Sequence, residues 1–196
     1  MMAIDFGRHS FHPVIKLPAE YVVHDLSSSP EPATPPSQFT IGKYDEKRAG
    51  MYSAPLFGGI RNIHVGIDIG APVGTEIHAF CDGQIFLFGY NSAQGDYGYT
   101  LITKHVLDSV PLFVLHGHLN AHSLGDKRVG QSIRAGEVIA WIGDRHENGG
   151  WQPHLHFQLS FEEPSVPDMP GVVSEADRAA ALKKFPDPRL VLGPLY

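Results

Sequence analysis

The chain has 196 residues, 42% of them hydrophobic, which suits one domain with a sizeable core rather than two. A formal net charge of −6 gives no general attraction to nucleic acid or to an anionic membrane, so neither is expected as a partner. The single cysteine, Cys81, excludes an internal disulfide framework and reads as a small buried hydrophobe. Along Met1 to Tyr21 the apolar residues are interrupted by Asp5, Arg8, His9, His12 and Lys16, so no leader is visible. No stretch approaches the roughly 20 apolar residues of a membrane span, and the expected location is cytoplasmic.

Ser27 to Ser37 is a proline and serine cluster that reads as an extended connector within an amino-terminal arm, residues 1–50. The arm is expected to pack on the sheet, with closure over a cleft as the alternative. From about Met51 the pattern changes to short β-rich runs: Glu76 to Phe80, Gln84 to Phe88, Thr100 to His105, Leu112 to Leu115, Glu137 to Ile142 and His154 to Phe161. Turn signals at Asp82-Gly83, Gly95 to Gly98, Gly130 and Gly136 separate them. The fold class is therefore mainly β, a compact antiparallel sheet or sandwich, with a body at 51–162 and a carboxy-terminal segment at 163–196. That last segment holds one helix, Glu175 to Lys184 behind a Ser174 cap, which Pro186 stops before an extended tail.

Three short segments carry the chemistry. Catalytic zinc takes three protein ligands and keeps a further position open, a count that His64, Asp68 and His156 satisfy. Residues four apart on a straight strand lie about 13 Å apart, so His64 to Asp68 must bend, and Gly66 at the midpoint is the expected hinge. His154 and His156 project from one face of a strand with Leu155 and Phe157 on the other, so one ring can bind metal while its neighbour moves protons. The same alternation places His116 and His118 together on one face. His105 ends a β run just ahead of that strand and is read as either a supporting histidine behind the ligands or a structural one; His116 is read as a supporting histidine.

In order, His64-Val65-Gly66-Ile67-Asp68, Gly70 to Thr75, Ala79 to Gly83, Tyr97-Gly98-Tyr99, His105, His118-Leu119, Val129-Gly130-Gln131, Ala135-Gly136 and Pro153 to Phe157 resemble the M23 family of zinc metallopeptidases, the lysostaphin and LytM-like enzymes that cut cell-wall peptides. The resemblance spans about Met51 to Phe161. It implies zinc ligands at His64, Asp68 and His156, catalytic imidazoles at His118 and His154, and a peptide or peptidoglycan-derived substrate. Two departures stand out: His116 occupies a position where many family members have tyrosine, and the loop from Asp144 to Gln152 is bulkier and more charged than the usual glycine, serine and threonine loop. The expected activity is zinc-dependent peptide hydrolysis. The alternative is a non-catalytic or latent zinc-binding module with a regulatory or interaction role in the cytoplasm.

Overall fold

The computed structural model describes residues 4–28, 35 and 37–196. Most of the expected proline-rich connector lies outside those residues. The strands in chain order are β1 (Val22–Val23), β2 (Thr40–Gly42), β3 (Glu46–Lys47), β4 (Arg61–His64), β5 (Ile67–Gly70), β6 (Glu76–His78), β7 (Gly83–Asn91), β8 (Gly98–Leu107), β9 (Val110–Leu119), β10 (Ser132–Ile133), β11 (Val138–Trp141), β12 (His154–Ser160) and β13 (Val172–Ser174). Two helices follow, α1 (Arg178–Lys184) and α2 (Arg189–Leu192). Each β-rich run of the sequence lies on one of these strands, and the fold is mainly β.

Eight strands form the main sheet in the order β1-β2-β5-β12-β9-β8-β7-β10. Its pairs are antiparallel apart from β1 with β2. A two-stranded sheet, β11-β6, and a three-stranded one, β13-β4-β3, complete the architecture. The central strands are buried at nearly every position because both faces of the main sheet are covered, and successive side chains enter two different cores. Leu155, Phe157 and Leu159 of β12 and Val114 of β9 join a core with Ile77, Phe80 and Ile139. Phe113 and Leu115 of β9 point the other way, into a second core with Ile63, Val65, Met169, Val173 and Phe185. The second core lies on the side of the three-stranded sheet and α1.

The flanking segments are built into the fold. Residues before Met51 supply β1 to β3, and His12 and Val14 hydrogen-bond through their backbones to Phe80 and His78. Ser174 caps the Glu175 to Asp177 turn, its Oγ accepting from the Asp177 amide at 3.2 Å, so the regular helix begins one turn later than expected. The tail also departs from the extended expectation. Pro188, with φ near −61°, and the Asp187 carboxylate, accepting from the Arg189 amide at 2.9 Å, start one helical turn there.

Strand β9 contains the local event that matters most for the site. Tyr99 pairs with Leu119 and Leu101 with His116, so two steps on β8 face three on β9. This is a β-bulge, and within it His118 takes a left-handed φ of 64°. Strict alternation would keep His118 on the same face as His116 and Val114. The bulge turns it over.

Candidate metal centre and cleft

Asp68 on β5 sits directly across the ladder from His156 on β12, and Gly117 of β9 is the neighbour of His156 on its other side. His64 ends β4, in the three-stranded sheet, and the chain returns through Val65 and Gly66 to β5. The local bend therefore brings residues of two sheets to one point. His64 Nε2 lies 3.2 Å from Asp68 Oδ1 and 3.1 Å from His156 Nδ1, and the third side of the triangle, His156 Nδ1 to Asp68 Oδ1, is 3.0 Å. Those sides approach the edge of about 3.3 Å expected for a tetrahedron with zinc bonds of 2.0–2.1 Å. Two imidazoles and a carboxylate are also the donor types that zinc prefers, so the residues present fit the ion.

Gly66 serves this geometry differently from the expected hinge, because its φ is not in the left-handed region. A Cβ there would stand 2.4 Å from His156 Cε1 and 2.6 Å from its Nε2. The glycine is needed because an imidazole occupies the space a side chain would take.

Each ring is held from behind. His64 Nδ1 donates to the Lys43 carbonyl at 2.9 Å, and His156 Nε2 donates to Gln158 Oε1 at 2.9 Å. These bonds leave His64 Nε2 and His156 Nδ1 as the lone-pair atoms facing Asp68. Burial, reinforced by the Arg48 charge, pushes the His64 imidazole down to about 4, so it is neutral at pH 7. Burial alone would raise the Asp68 carboxyl, but the neighbouring His64 and the Arg48 guanidinium hold it well below the usual carboxylate range. A neutral imidazole and an ionised carboxylate are the protonation states that bind a cation.

His118 and His154 stand beside this cluster, their ring centroids 4.2 Å apart. His118 Nδ1 donates to the Asn148 carbonyl at 2.8 Å, and His154 Nδ1 donates to the Gln152 carbonyl at 2.6 Å. Both acceptors belong to the bulky Asp144 to Gln152 loop. Both bonds fix the same tautomer and leave Nε2 as the acceptor atom. Burial, followed by the neighbouring His154 and His156, holds the His118 imidazole well below its ordinary value. Asn148 shapes the loop: its Oδ1 accepts from the Gly150 and Trp151 amides and its Nδ2 donates to the Trp151 carbonyl.

The supporting role expected of His116 needs correction, and for His105 the structural alternative is the one that the contacts describe. His116 packs on Phe157, with ring centroids 5.5 Å apart, and donates through Nδ1 to the Leu101 carbonyl at 3.2 Å. His105 lies against Phe80, takes the Thr103 hydroxyl at Nε2 and meets Asp82 and Cys81 at Nδ1. Both rings face the core on the other side of the sheet, because β9 alternates regularly up to His116 and bulges only after it. The tyrosine-to-histidine departure at position 116 therefore does not touch the cleft. Nearer the cluster, Tyr97 places its hydroxyl 3.4 Å from His156 Nε2 and donates to the Met169 carbonyl at 3.1 Å.

Three contributors were missed from sequence. Gln158 follows His154 and His156 on the same strand face, so the period-2 reading could have included it. Arg48 and Lys43 carried no signal that separates them from surface charges.

A cleft of about 200 Å³ opens over these residues, lined by His64, Asp68, His118, His154 and His156, with Trp151 on one wall and His24 of the amino-terminal arm on another. A β-sandwich presenting a His/Asp triad of metal donors beside two further imidazoles defines the class of metallohydrolase-like β proteins. The chain belongs to Peptidase family M23, whose sequence pattern matches residues 62–167. It is 32% identical over 123 residues to the DD-carboxypeptidase/endopeptidase Mpg of Neisseria meningitidis serogroup B, covering 60% of this chain and 26% of that protein. It is also 32% identical over 110 residues to the peptidoglycan DD-endopeptidase ShyC of Vibrio cholerae, covering 54% and 22%. The uncharacterized lipoprotein YgeR of Escherichia coli is 31% identical over 101 residues, covering 52% and 36%. The chain thus spans about a quarter to a third of the length of these relatives. Their descriptions overturn the cytoplasmic expectation, since a lipoprotein and an enzyme of peptidoglycan belong to the cell envelope. Among the described residues no helix is long and apolar enough to cross a membrane.

Proposed function

We propose that this chain is the catalytic unit of a zinc-dependent endopeptidase that hydrolyses peptide bonds in peptidoglycan-type peptides. One observation carries the reading: a triangle of donor atoms with sides of 3.0 to 3.2 Å stands beside two imidazoles whose Nδ1 atoms are both occupied by backbone carbonyls. His64 Nε2, Asp68 Oδ1 and His156 Nδ1 would hold the ion. Bound there, zinc supplies Lewis acidity to the scissile carbonyl and to water.

The other steps belong to the protein. His118 and His154 each turn Nε2 toward the cleft, so either ring in its neutral form can take a proton from attacking water and return it to the leaving amine. The partner ring, once protonated, donates to the oxygen that gains charge as the carbonyl becomes tetrahedral. The carbonyls of Asn148 and Gln152 keep both rings aimed and stabilise the imidazolium that forms. The peptidoglycan assignment is supported by the description of ShyC and by family membership.

The test is mass-spectrometric detection of products from peptidoglycan fragments, oligoglycine and a mixed peptide library, using zinc-loaded protein. His118→Ala and His154→Ala are expected to keep zinc and lose about 10²- to 10⁴-fold in turnover. His156→Ala is expected to lose the metal itself. No product in any pool from protein with zinc confirmed bound would refute the proposal, as would full activity in either imidazole variant.

A further inference from the structure

A buried guanidinium stands directly behind the candidate metal cluster. Arg48 is 1% exposed and each of its bonds is to a group that the site or the arm depends on. Its Nη1 donates to Asp68 Oδ2 at 2.7 Å and to the Tyr52 hydroxyl at 3.0 Å. Its Nε donates to Glu46 Oε2 at 3.0 Å, and its Nη2 reaches the Lys43 carbonyl at 3.3 Å, the same carbonyl that accepts from His64 Nδ1. Glu46 Oε1 in turn accepts from the Leu26 amide at 3.0 Å, which ties the amino-terminal arm to the network. Arg48 and its partners Lys43, Glu46 and Tyr52 precede residues 62–167, the part that the family pattern matches.

We propose that Arg48 is the positioning residue of the metal centre: it holds Asp68 Oδ2 so that Oδ1 alone is presented to the ion, and through the shared Lys43 carbonyl it fixes the frame of His64. The inference rests on the zinc reading above. A free carboxylate could swing and offer both oxygens, giving a looser site of higher coordination number. The guanidinium fork prevents this because its planar donors reach Asp68, Glu46 and Lys43 at once, which a lysine ammonium cannot do. Groups that orient metal ligands in this way commonly change metal affinity or activity by about 10- to 100-fold when removed.

A cation beside a metal ion also repels it, so removing Arg48 alone mixes two effects of opposite sign. It would also leave the Glu46 carboxylate buried without its partner. The test therefore uses the double variant Glu46→Gln/Arg48→Met, which removes one positive and one negative charge and keeps an acceptor for the Leu26 amide. Zinc affinity is measured by competition with a chromophoric chelator, and the visible spectrum is recorded on the cobalt-substituted protein. With circular dichroism unchanged, zinc binding about 10- to 100-fold weaker is expected, together with weaker cobalt bands as the coordination number rises.

A folded double variant with parental zinc affinity and an unaltered cobalt spectrum overturns the proposal. If the double variant does not fold, Arg48→Lys decides the matter: it keeps the charge and loses the fork, and parental zinc affinity in that variant overturns it equally. Failure of the parent protein to bind zinc would instead refute the metal reading itself, and is separately visible in the same titration.

Discussion

Replacing Gly66 by alanine isolates the packing of a single metal ligand. The new Cβ would lie 2.4 Å from His156 Cε1, whereas carbon atoms in comfortable contact stand about 3.5 Å apart, so the ring must retreat by about 1 Å. The retreat is opposed by the bond from Nε2 to Gln158 and by Tyr97, whose ring centroid is 5.1 Å away. Metal–ligand distances tolerate only about 0.2 Å, so a 1 Å shift takes Nδ1 out of the triangle. Zinc binding is expected to weaken by about 100-fold and turnover to fall at least as far. Overpacking should also cost about 1–3 kcal/mol of stability. The φ of Gly66 is open to alanine, so no backbone strain contributes. Gly74 supplies the converse control: its φ is 78° and a Cβ would meet nothing within 4 Å, so Gly74→Ala should cost about 1 kcal/mol and leave zinc affinity alone. Chelator competition and thermal unfolding on both variants measure the contrast. A Gly66→Ala protein with parental zinc affinity and an unchanged or higher Tm would refute the reasoning.

Asn148→Ala removes three side-chain bonds from the loop that aims His118, so kcat should fall about 10- to 100-fold with zinc affinity retained, and zinc titration beside steady-state kinetics would separate the two. Burial pushes His105 down to about 4 and His116 to about 3, so both stay neutral in the folded chain while the unfolded chain protonates them near pH 6.5. Their contribution to stability is fully present above pH 6.5 and is lost progressively as pH falls toward 4, at about 1.4 kcal/mol per pH unit for each ring. Urea unfolding of the metal-free protein at pH 7.5, 6 and 5 should reveal that slope, and His116→Leu should remove one ring's share; an identical slope in the variant would exclude it. Chelation is expected to abolish turnover, lower the Tm and leave the far-ultraviolet β spectrum in place, because the two apolar cores do not depend on the site. Readdition of zinc should restore both properties.

Strand positions were legible because short β-rich apolar runs punctuated by glycine turns report strands buried on both faces. Leu155 and Phe157 point into one core while His154, His156 and Gln158 occupy the other face, as period 2 requires. The same rule misplaced His116 relative to His118. A bulge adds one residue without any change in the hydrophobic pattern, and the left-handed backbone at His118 carries no glycine to announce it. Gly66 was visible as a special position, but its reason lay in contact with a residue ninety positions away. Arg48 was illegible for a related cause: in Glu46-Lys47-Arg48 nothing local separates a buried charge from exposed ones, and its burial follows from Asp68 and Glu46 meeting it in space. The helical turn at Arg189 arises from Asp187 and Pro188 acting together, where the sequence predicts an extended tail after Pro186.

The attachment of both cleft imidazoles to carbonyls of one surface loop bears on how such a protein can diversify. Loops usually drift freely and new substrate preferences are acquired through them. Here an insertion between Asn148 and Gln152 would re-aim His118 and His154 relative to one another. Selectivity and acid–base competence are thus inherited together, and libraries seeking a new preference with turnover preserved should vary the part of the cleft that the amino-terminal arm lines, around His24, while leaving this loop at its native length.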